Sequence, residues 1–479
     1  MKLKTDFFYI LISLLMLSCS NDSDRTNKKN GQSKSPNFIF ILADDQGWNG
    51  TSVQMMNSEP LSKSDYYETP NLEKLASQGI KFSNAYSSAP VCAPSRYSLQ
   101  FGMTPARLGL IRVGMNTNHI NHDTLLSIPK ALKKVNENYV AAHFGKWGMG
   151  SNPKALGYAV SDGTTKNKDG GFVNNKTQWK HTVQKDPKKI FSITQRATNF
   201  MEENAKSNTP FYLQISHYAV HSSIQSREKS YLKNQQKPKG KRHDNTGFSA
   251  MTEDLDEGLG QIMNKLKELG IENNTYIIYM SDNGAVPVIP AAKKYTKSYN
   301  FPLSRGKWDA MEGGIRVPLI VTGPGIVGNT ESAVPVSGSD MLSTIIDLAS
   351  EKKIVVNNKT DGGSLKNILL NDTAKEVKRT VEGLFFHVPY KNGIALKRPH
   401  SAIRKGNYKL LKFQDNEEIF LFNLANNKNE QKNLVEENPQ KAKELEKLLM
   451  DYLQEVHAPK WKKGINWKGT PFKTINSTY

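Results

Sequence analysis

Two pairs, Asp44-Asp45 and Asp282-Asn283, each come directly after a run of seven mostly apolar residues, "NFIFILA" and "TYIIYMS". They offer only oxygen ligands. Clustered carboxylates repel one another unless a cation lies between them. An all-oxygen set suits a hard ion such as Ca2+ or Mg2+ rather than zinc. Asp and Asn also turn chains and cap helices. Two pairs at like positions after two buried-strand patterns argue for a metal. The third feature is Cys92, one of two cysteines, in Cys92-Ala93-Pro94-Ser95-Arg96. Pro94 fits the first turn of a helix. A helix N-terminus favours anions, and Arg96 is a planar cation suited to oxyanions. On residue chemistry alone Cys92 reads three ways. It is a small buried side chain, a thiol nucleophile activated by Arg96 and the helix end, or a modification site. Lys146 in "FGKWGMG", His217 and His221 in "ISHYAVH", and Lys307 in "SRGKWDAMEGG" complete the inventory.

These residues need a scaffold, and the pattern supplies one. "NFIFILA" (37–43), "YVAAHF" (139–144), "PFYLQIS" (210–216), "TYIIYMS" (275–281) and "VPLIVTG" (317–323) read as buried strands. Between them lie amphipathic helical stretches. "TPNLEKLASQG" (69–79) has Pro70 at its start and Gly79 at its stop. "MTEDLDEGLGQIMNKLKELG" (251–270) places Met251, Leu255, Leu259, Ile262, Leu266 and Leu269 on one stripe. Strands alternating with helices predict an α/β domain with a mostly parallel central sheet between helices. Ligands bind beyond the carboxyl ends of such strands, where the polar residues above fall. After about residue 375 the pattern changes to antiparallel strands, "SAIRKGNYKLLKF" and "EEIFLFNLA", and a terminal helix, "NPQKAKELEKLLMDYLQEV". The expected division is a catalytic domain over 36–370 and a small C-terminal α+β subdomain over 371–479.

The N-terminus carries Lys2 and Lys4, the apolar run "FFYILISLLML", and Ser18 before Cys19. This resembles a bacterial lipoprotein signal, with residues 1–18 removed, Cys19 lipidated and 19–35 a flexible tether. The expected location is the outer membrane, at its periplasmic face or the cell surface, through that lipid anchor. Lys plus Arg number 65 against 45 Asp plus Glu, a formal charge of +20. A basic surface concentrates anions. For an exported chain without a nucleic-acid motif, the expected partner is an extracytoplasmic polyanion, not nucleic acid.

Taken together the motifs resemble the formylglycine-dependent sulfatases of the alkaline phosphatase superfamily. Their C-x-P-S-R hallmark is matched by Cys92 to Arg96, and "PNFIFILADDQG", "FGKWGMG", "ISHYAVH", "NNTYIIYMSDNG", "SRGKWDAMEGGIRVPLIV", "AIRKGNYKLL" and "LFNLANNKNEQKNL" are similar to their remaining motifs, in order, over residues 36 to 456. The resemblance implies an alkaline-phosphatase-like large domain. It implies that a formylglycine-generating enzyme oxidises Cys92 to Cα-formylglycine (3-oxoalanine). One hydroxyl of the aldehyde hydrate then attacks sulfur and the other expels sulfate. By the same resemblance Asp44, Asp45, Asp282 and Asn283 bind one Ca2+ together with the modified Cys92. Arg96 steadies the hydrate, Lys146 and Lys307 hold the sulfate, and His221 assists the leaving oxygen by proton donation or a hydrogen bond.

Two departures stand out. The family has K-W-H where this chain has Lys146-Trp147-Gly148, so either His143 or His217 substitutes, or water does, or turnover is slower. Strand parity points His143 away from Lys146. "SLQFGM" replaces an L-T-G-R-like ending after the hallmark. A phosphonate or phosphodiester hydrolase of the superfamily, and a non-catalytic lipoprotein binding sulfated glycans, are the alternatives. The expected substrate is a sulfated oligo- or polysaccharide: algal ulvan, carrageenan or fucoidan, or a glycosaminoglycan. Sugar contacts are expected from loops 161–171 and 386–400, with His387, Arg398 and His400 foremost.

Overall fold

The computed structural model describes residues 35–289, 299–350, 354, 359–371, 374–391 and 398–463. The signal-like segment, Cys19 and nearly all of the tether lie outside the described residues, as do residues 392–397 of the second loop. No helix among the described residues is long and apolar enough to cross a membrane.

Eight strands form the main sheet: β1 (Asn37–Ala43), β2 (Ile80–Phe82), β3 (Val140–Gly145), β4 (Val160–Ser161), β5 (Phe211–Ser216), β6 (Thr275–Ser281), β7 (Leu319–Thr322) and β8 (Thr330–Ser332). Their spatial order is β8-β2-β7-β6-β1-β5-β3-β4. Central β1 is buried at all seven positions, as a strand covered on both faces must be. Its side chains divide by parity. Phe38, Phe40 and Leu42 enter one core, and Ile39, Ile41 and Ala43 enter the other. Helices α1 (Pro70–Ser77), α3 (Ile190–Lys206) and α4 (Thr246–Glu268) cover the second face, while α2 (Cys92–Phe101) and α5 (Met341–Ala349) cover the first. The α4 stripe begins at Met251, but the helix begins five residues earlier at Thr246, because the Asn245 side chain accepts from Phe248 N at 2.9 Å and caps it there. β7 is the exception to the parallel pattern and runs antiparallel to both β6 and β2.

Register is what assembles the site. β1 pairs in parallel with β5 and β6, Leu42 opposite Ser216 and Ala43 opposite Ser281. β3 pairs in parallel with β5, Gly145 opposite Ser216. The residues just past these strand ends, Asp44, Lys146, His217 and Asp282, therefore emerge side by side.

A second, antiparallel sheet is built from β9 (Leu384–Val388), β10 (His400–Lys405), β11 (Tyr408–Phe413) and β12 (Ile419–Asn423), paired in chain order. One face (Phe386, Ala402, Leu411) packs into the core of the main sheet. The other (Phe385, Ile403, Leu410) packs with the terminal helix α6 (Pro439–Glu455). Charges are buried at this junction. Lys409 on β11 reaches Glu312 at 3.1 Å and Glu430 at 2.8 Å, all with side chains 0% exposed. Glu430 accepts from Glu312 N at 2.8 Å and from the Ser304 hydroxyl, and His400 Nε2 accepts from Ala310 N at 3.0 Å. The second sheet thus grips residues 304–312, the segment that carries Lys307. Removing the cation would leave buried Glu430 without its counter-ion, while Glu312 keeps Arg316 at 3.5 Å. Lys409→Ala is expected to cost about 3–5 kcal/mol in denaturant unfolding, with activity falling alongside as the Lys307 segment loosens.

Candidate active site

Asp44, Asp45, Cys92 and Asp282 converge, each offering a ligand atom within 4.8 Å of the others, and all four are buried. Asp45 has a left-handed backbone (φ 60°), a conformation that Asp tolerates better than most residues. Its N–H donates to Asp282 Oδ1 at 3.2 Å. Asn283 donates through Nδ2 to Asp45 Oδ1 at 2.7 Å, and its buried Oδ1 has no hydrogen-bond partner among the described residues. That oxygen and three carboxylates make a hard-donor set. They fit Ca2+: oxygen ligands, high negative charge and an unused amide oxygen.

Cys92 opens α2, with Arg96 one turn later on the same face. The thiol donates toward Asp44 Oδ1 at 3.5 Å and Asp45 Oδ1 at 3.9 Å. Burial and then the Asp282 charge push its pKa up to about 12. A thiolate is therefore disfavoured among these carboxylates. A neutral hydroxyl donor suits the same surroundings. Arg96 Nε donates to Asp282 Oδ2 at 2.9 Å, and Nη1 donates to the Lys146 carbonyl.

Three cations answer the three carboxylates. Lys146 Nζ lies 2.5 Å from Asp44 Oδ2, Lys307 Nζ 2.7 Å from Asp45 Oδ2, and Arg96 Nη2 2.8 Å from Asp282 Oδ2. Burial alone would raise Asp44, but Lys146 and its neighbours hold it well below the usual carboxylate range. Asp282 is instead pushed up to about 6 by burial and by Asp44. The Lys307 segment approaches closely. A Cβ on Gly284 would come within 1.9 Å of the Gly313 carbonyl oxygen, so only glycine fits after Asn283.

His221 has a fixed tautomer. Its Nδ1 must donate to the Ser222 carbonyl, 2.6 Å away, which leaves Nε2 as the acceptor, 3.7 Å from Asp45 Oδ2 and 3.4 Å from Asn167 Nδ2. Burial, then Lys307, lowers it to about 4, so the ring is neutral. The Phe172 ring meets it edge-on at 5.1 Å.

At Gly148 the backbone is left-handed (φ 69°), and a Cβ would touch Arg96 Cδ and Lys146 Cε at 3.4 Å. A side chain here would thus point at those two cations, and glycine leaves that wall open. Of the two candidate substitutes, His143 is engaged elsewhere. His143 is buried against Trp147 and Tyr158, with Nε2 3.0 Å from Ser216 Oγ. His217 is 0% exposed, and burial lowers it to about 4. The "SLQFGM" departure is absorbed by packing: Gln100 donates to Tyr158 at 2.8 Å and to Gln214 at 2.7 Å.

At His387, Arg398 and His400, the expected sugar contacts, protein groups engage the polar atoms. His387 lies 2.8 Å from Ser401 Oγ and donates to Pro459 O at 2.6 Å. His400 accepts from Ala310 N and donates to Arg398 O at 2.9 Å. Arg398 pairs with Asp415 and Glu418, both at 2.9 Å, and stacks on Phe413. Three residues near the site were not singled out by sequence: Asn167, Phe172 and Lys188. Lys188 had a usable signal. Two consecutive lysines just before the N-terminus of α3 sit against the helix dipole, so something other than helix stability has to account for them.

The chain belongs to the sulfatase family, whose profile matches residues 36–351; the C-terminal profile of N-sulphoglucosamine sulphohydrolase matches residues 307–459. It is accordingly a sulfuric ester hydrolase. It is 27% identical to a sulfatase of Formosa agariphila, over 91% of this chain and 90% of that one. It is 26% identical to an ulvan-active sulfatase of the same organism, over 87% and 80%. Among solved structures it shares the fold of Ps i-CgsB, with a TM-score of 0.72 and 24% identity over 93% of this chain and 97% of that one.

Ion binding is testable on the folded protein. A hundredfold excess of ligand over its Kd stabilises by about 2.7 kcal/mol. EGTA is expected to lower the melting temperature and added Ca2+ to restore it. Asn283→Ala should shrink that calcium-dependent shift.

Proposed function

We propose that this chain hydrolyses sulfate esters on a sulfated carbohydrate, with Cys92 matured to formylglycine and Ca2+ held by Asp44, Asp45, Asp282 and Asn283. The observation that carries the reading is the buried set of three carboxylates and three cations around Cys92. Formylglycine, as its hydrate, supplies two hydroxyls on one carbon, one to attack and one to release sulfate. The ion supplies positive charge for a sulfuryl oxygen. The chain's own residues do the rest. Lys146 and Lys307 bind sulfate oxygens in a site shielded from water, where their charge acts most strongly. Arg96, fixed by Asp282 and the Lys146 carbonyl, orients the group at position 92. His221 Nε2 holds no proton at rest, so it must take one up before delivering it to a departing alcohol oxygen.

The carbohydrate class is supported by the ulvan-active relative and by a solved structure of shared fold (TM-score 0.65, 20% identity over 88% of this chain and 98% of that one) that holds D-glucosamine-2-N,6-O-disulfate as its substrate. Ulvan-type oligosaccharide is the preferred candidate. Asn167 and Phe172, beside His221, are the sugar contacts we favour from loop 161–172. The family match favours sulfate over the phosphonate or phosphodiester alternative, and the complete charge set argues against a non-catalytic glycan-binding role. Lys2, Lys4, the apolar run and Ser18-Cys19 support export and a lipid anchor at Cys19, and Cys92 requires a formylglycine-generating enzyme as partner.

The test is peptide mass spectrometry across Cys92 after co-expression with that enzyme, together with sulfate release from ulvan, carrageenan and glycosaminoglycan oligosaccharides. Loss of one sulfur and two hydrogens with gain of one oxygen, and sulfate release that Cys92→Ala abolishes, is the expected result. An unmodified thiol without sulfate release overturns the proposal. For His221→Ala, kcat on a carbohydrate sulfate should fall by about 10²–10⁴. It should fall less on 4-nitrophenyl sulfate, whose phenolate leaves without a proton.

A further inference from the structure

Lys188 is a cation without a protein counter-ion among the described residues. Its side chain belongs to the segment Pro187–Lys189 just before α3, and the residue is 1% exposed. Backbone φ is 52° at Lys188 and 53° at Lys189, both left-handed. Lys188 N donates to Gln225 Oε1 at 3.0 Å. Among the described residues Nζ makes no hydrogen bond or ion pair. Asp186, two residues away, instead caps α3 through Phe191 N at 2.8 Å and Ser192 N at 3.4 Å.

Its electrostatic neighbours are Asp44, Asp45 and Lys146, so it lies within reach of the carboxylate cluster. His217, which senses Asp186, is neutral there. The cluster leaves nothing to neutralise Lys188, since Asp44, Asp45 and Asp282 already face Lys146, Lys307 and Arg96. A buried ammonium with no counter-ion is costly. Burial lowers Lys188 to about 7. The sulfate held by Lys146 and Lys307 does not need a further lysine. Asn167, beside His221, keeps a buried Oδ1 without a partner among the described residues, suited to a sugar hydroxyl.

We infer that Lys188 forms a second anion subsite beside the sulfate site, accepting a carboxylate or a further sulfate on the sugar that carries the scissile ester. The inference rests on the proposed function and narrows it to substrates with at least two anionic groups. An ammonium is a point charge and takes either anion, so the chemistry shared by uronates and sulfate esters is what the subsite recognises.

The test is a calorimetric titration of the mature, calcium-loaded protein with sodium sulfate, repeated on Lys188→Met. Two sulfates per chain are expected for the parent and one for the variant. Lys188 sheds its proton as pH rises through about 7, so the second sulfate should bind at about pH 6 and weaken by about pH 8.5. Glucuronate added as competitor distinguishes the sources. Displacement of the second sulfate alone assigns the subsite to a uronate; no displacement assigns it to a further sulfate ester. The melting temperature of Lys188→Met should stay level or rise, because an unpaired buried charge is removed. One sulfate in both proteins overturns the inference while leaving the proposed function intact. No sulfate in either overturns both. A lower melting temperature with two sulfates retained assigns Lys188 to packing and also overturns it.

Discussion

Mutual neutralisation of three buried carboxylates by three buried cations is the interaction on which the rest of this structure turns. None of the six charges is tenable alone at such burial. They come from different kinds of element: Asp44, Asp45 and Asp282 from parallel strand ends, Lys146 from a third strand end, Arg96 from a helix and Lys307 from a long loop. The fold is organised to bring these six together. The in-register pairing of β1 with β5 and β6 fixes the carboxylate level, and α2 lays Cys92 and Arg96 across it.

The second sheet has a less obvious part in this arrangement. With the segment that follows its last strand, it holds the Lys307 segment through Lys409, Glu430 and His400. The cation beside Asp45 is therefore kept in place by charges buried at the junction of the two sheets. The two sheets act as one machine rather than as a catalytic part and an appendage.

How much of this was legible in sequence depended on distance along the chain. The strands were readable because a doubly covered strand is a continuous apolar run, and β1 and β6 match their runs residue for residue. The carboxylate cluster was readable because parallel register brings the residues just past neighbouring strand ends to one place, however far apart they lie in the chain. The start of α4 was missed because its cap, Asn245, lies outside the apolar stripe. His387, Arg398 and His400 stood out because composition marks a loop as polar, but composition does not say whether its polar atoms are already taken. For Lys188 the paired lysines before α3 were visible in the sequence, but the lack of a partner for its ammonium among the described residues appears only in the tertiary structure.

Helix α2 is buried at all ten positions, and Cys92 itself is 5% exposed. On the proposed reading, an enzyme acting on Cys92 would have to reach it before this fold closes over the helix, and a chain that folded first would keep its thiol.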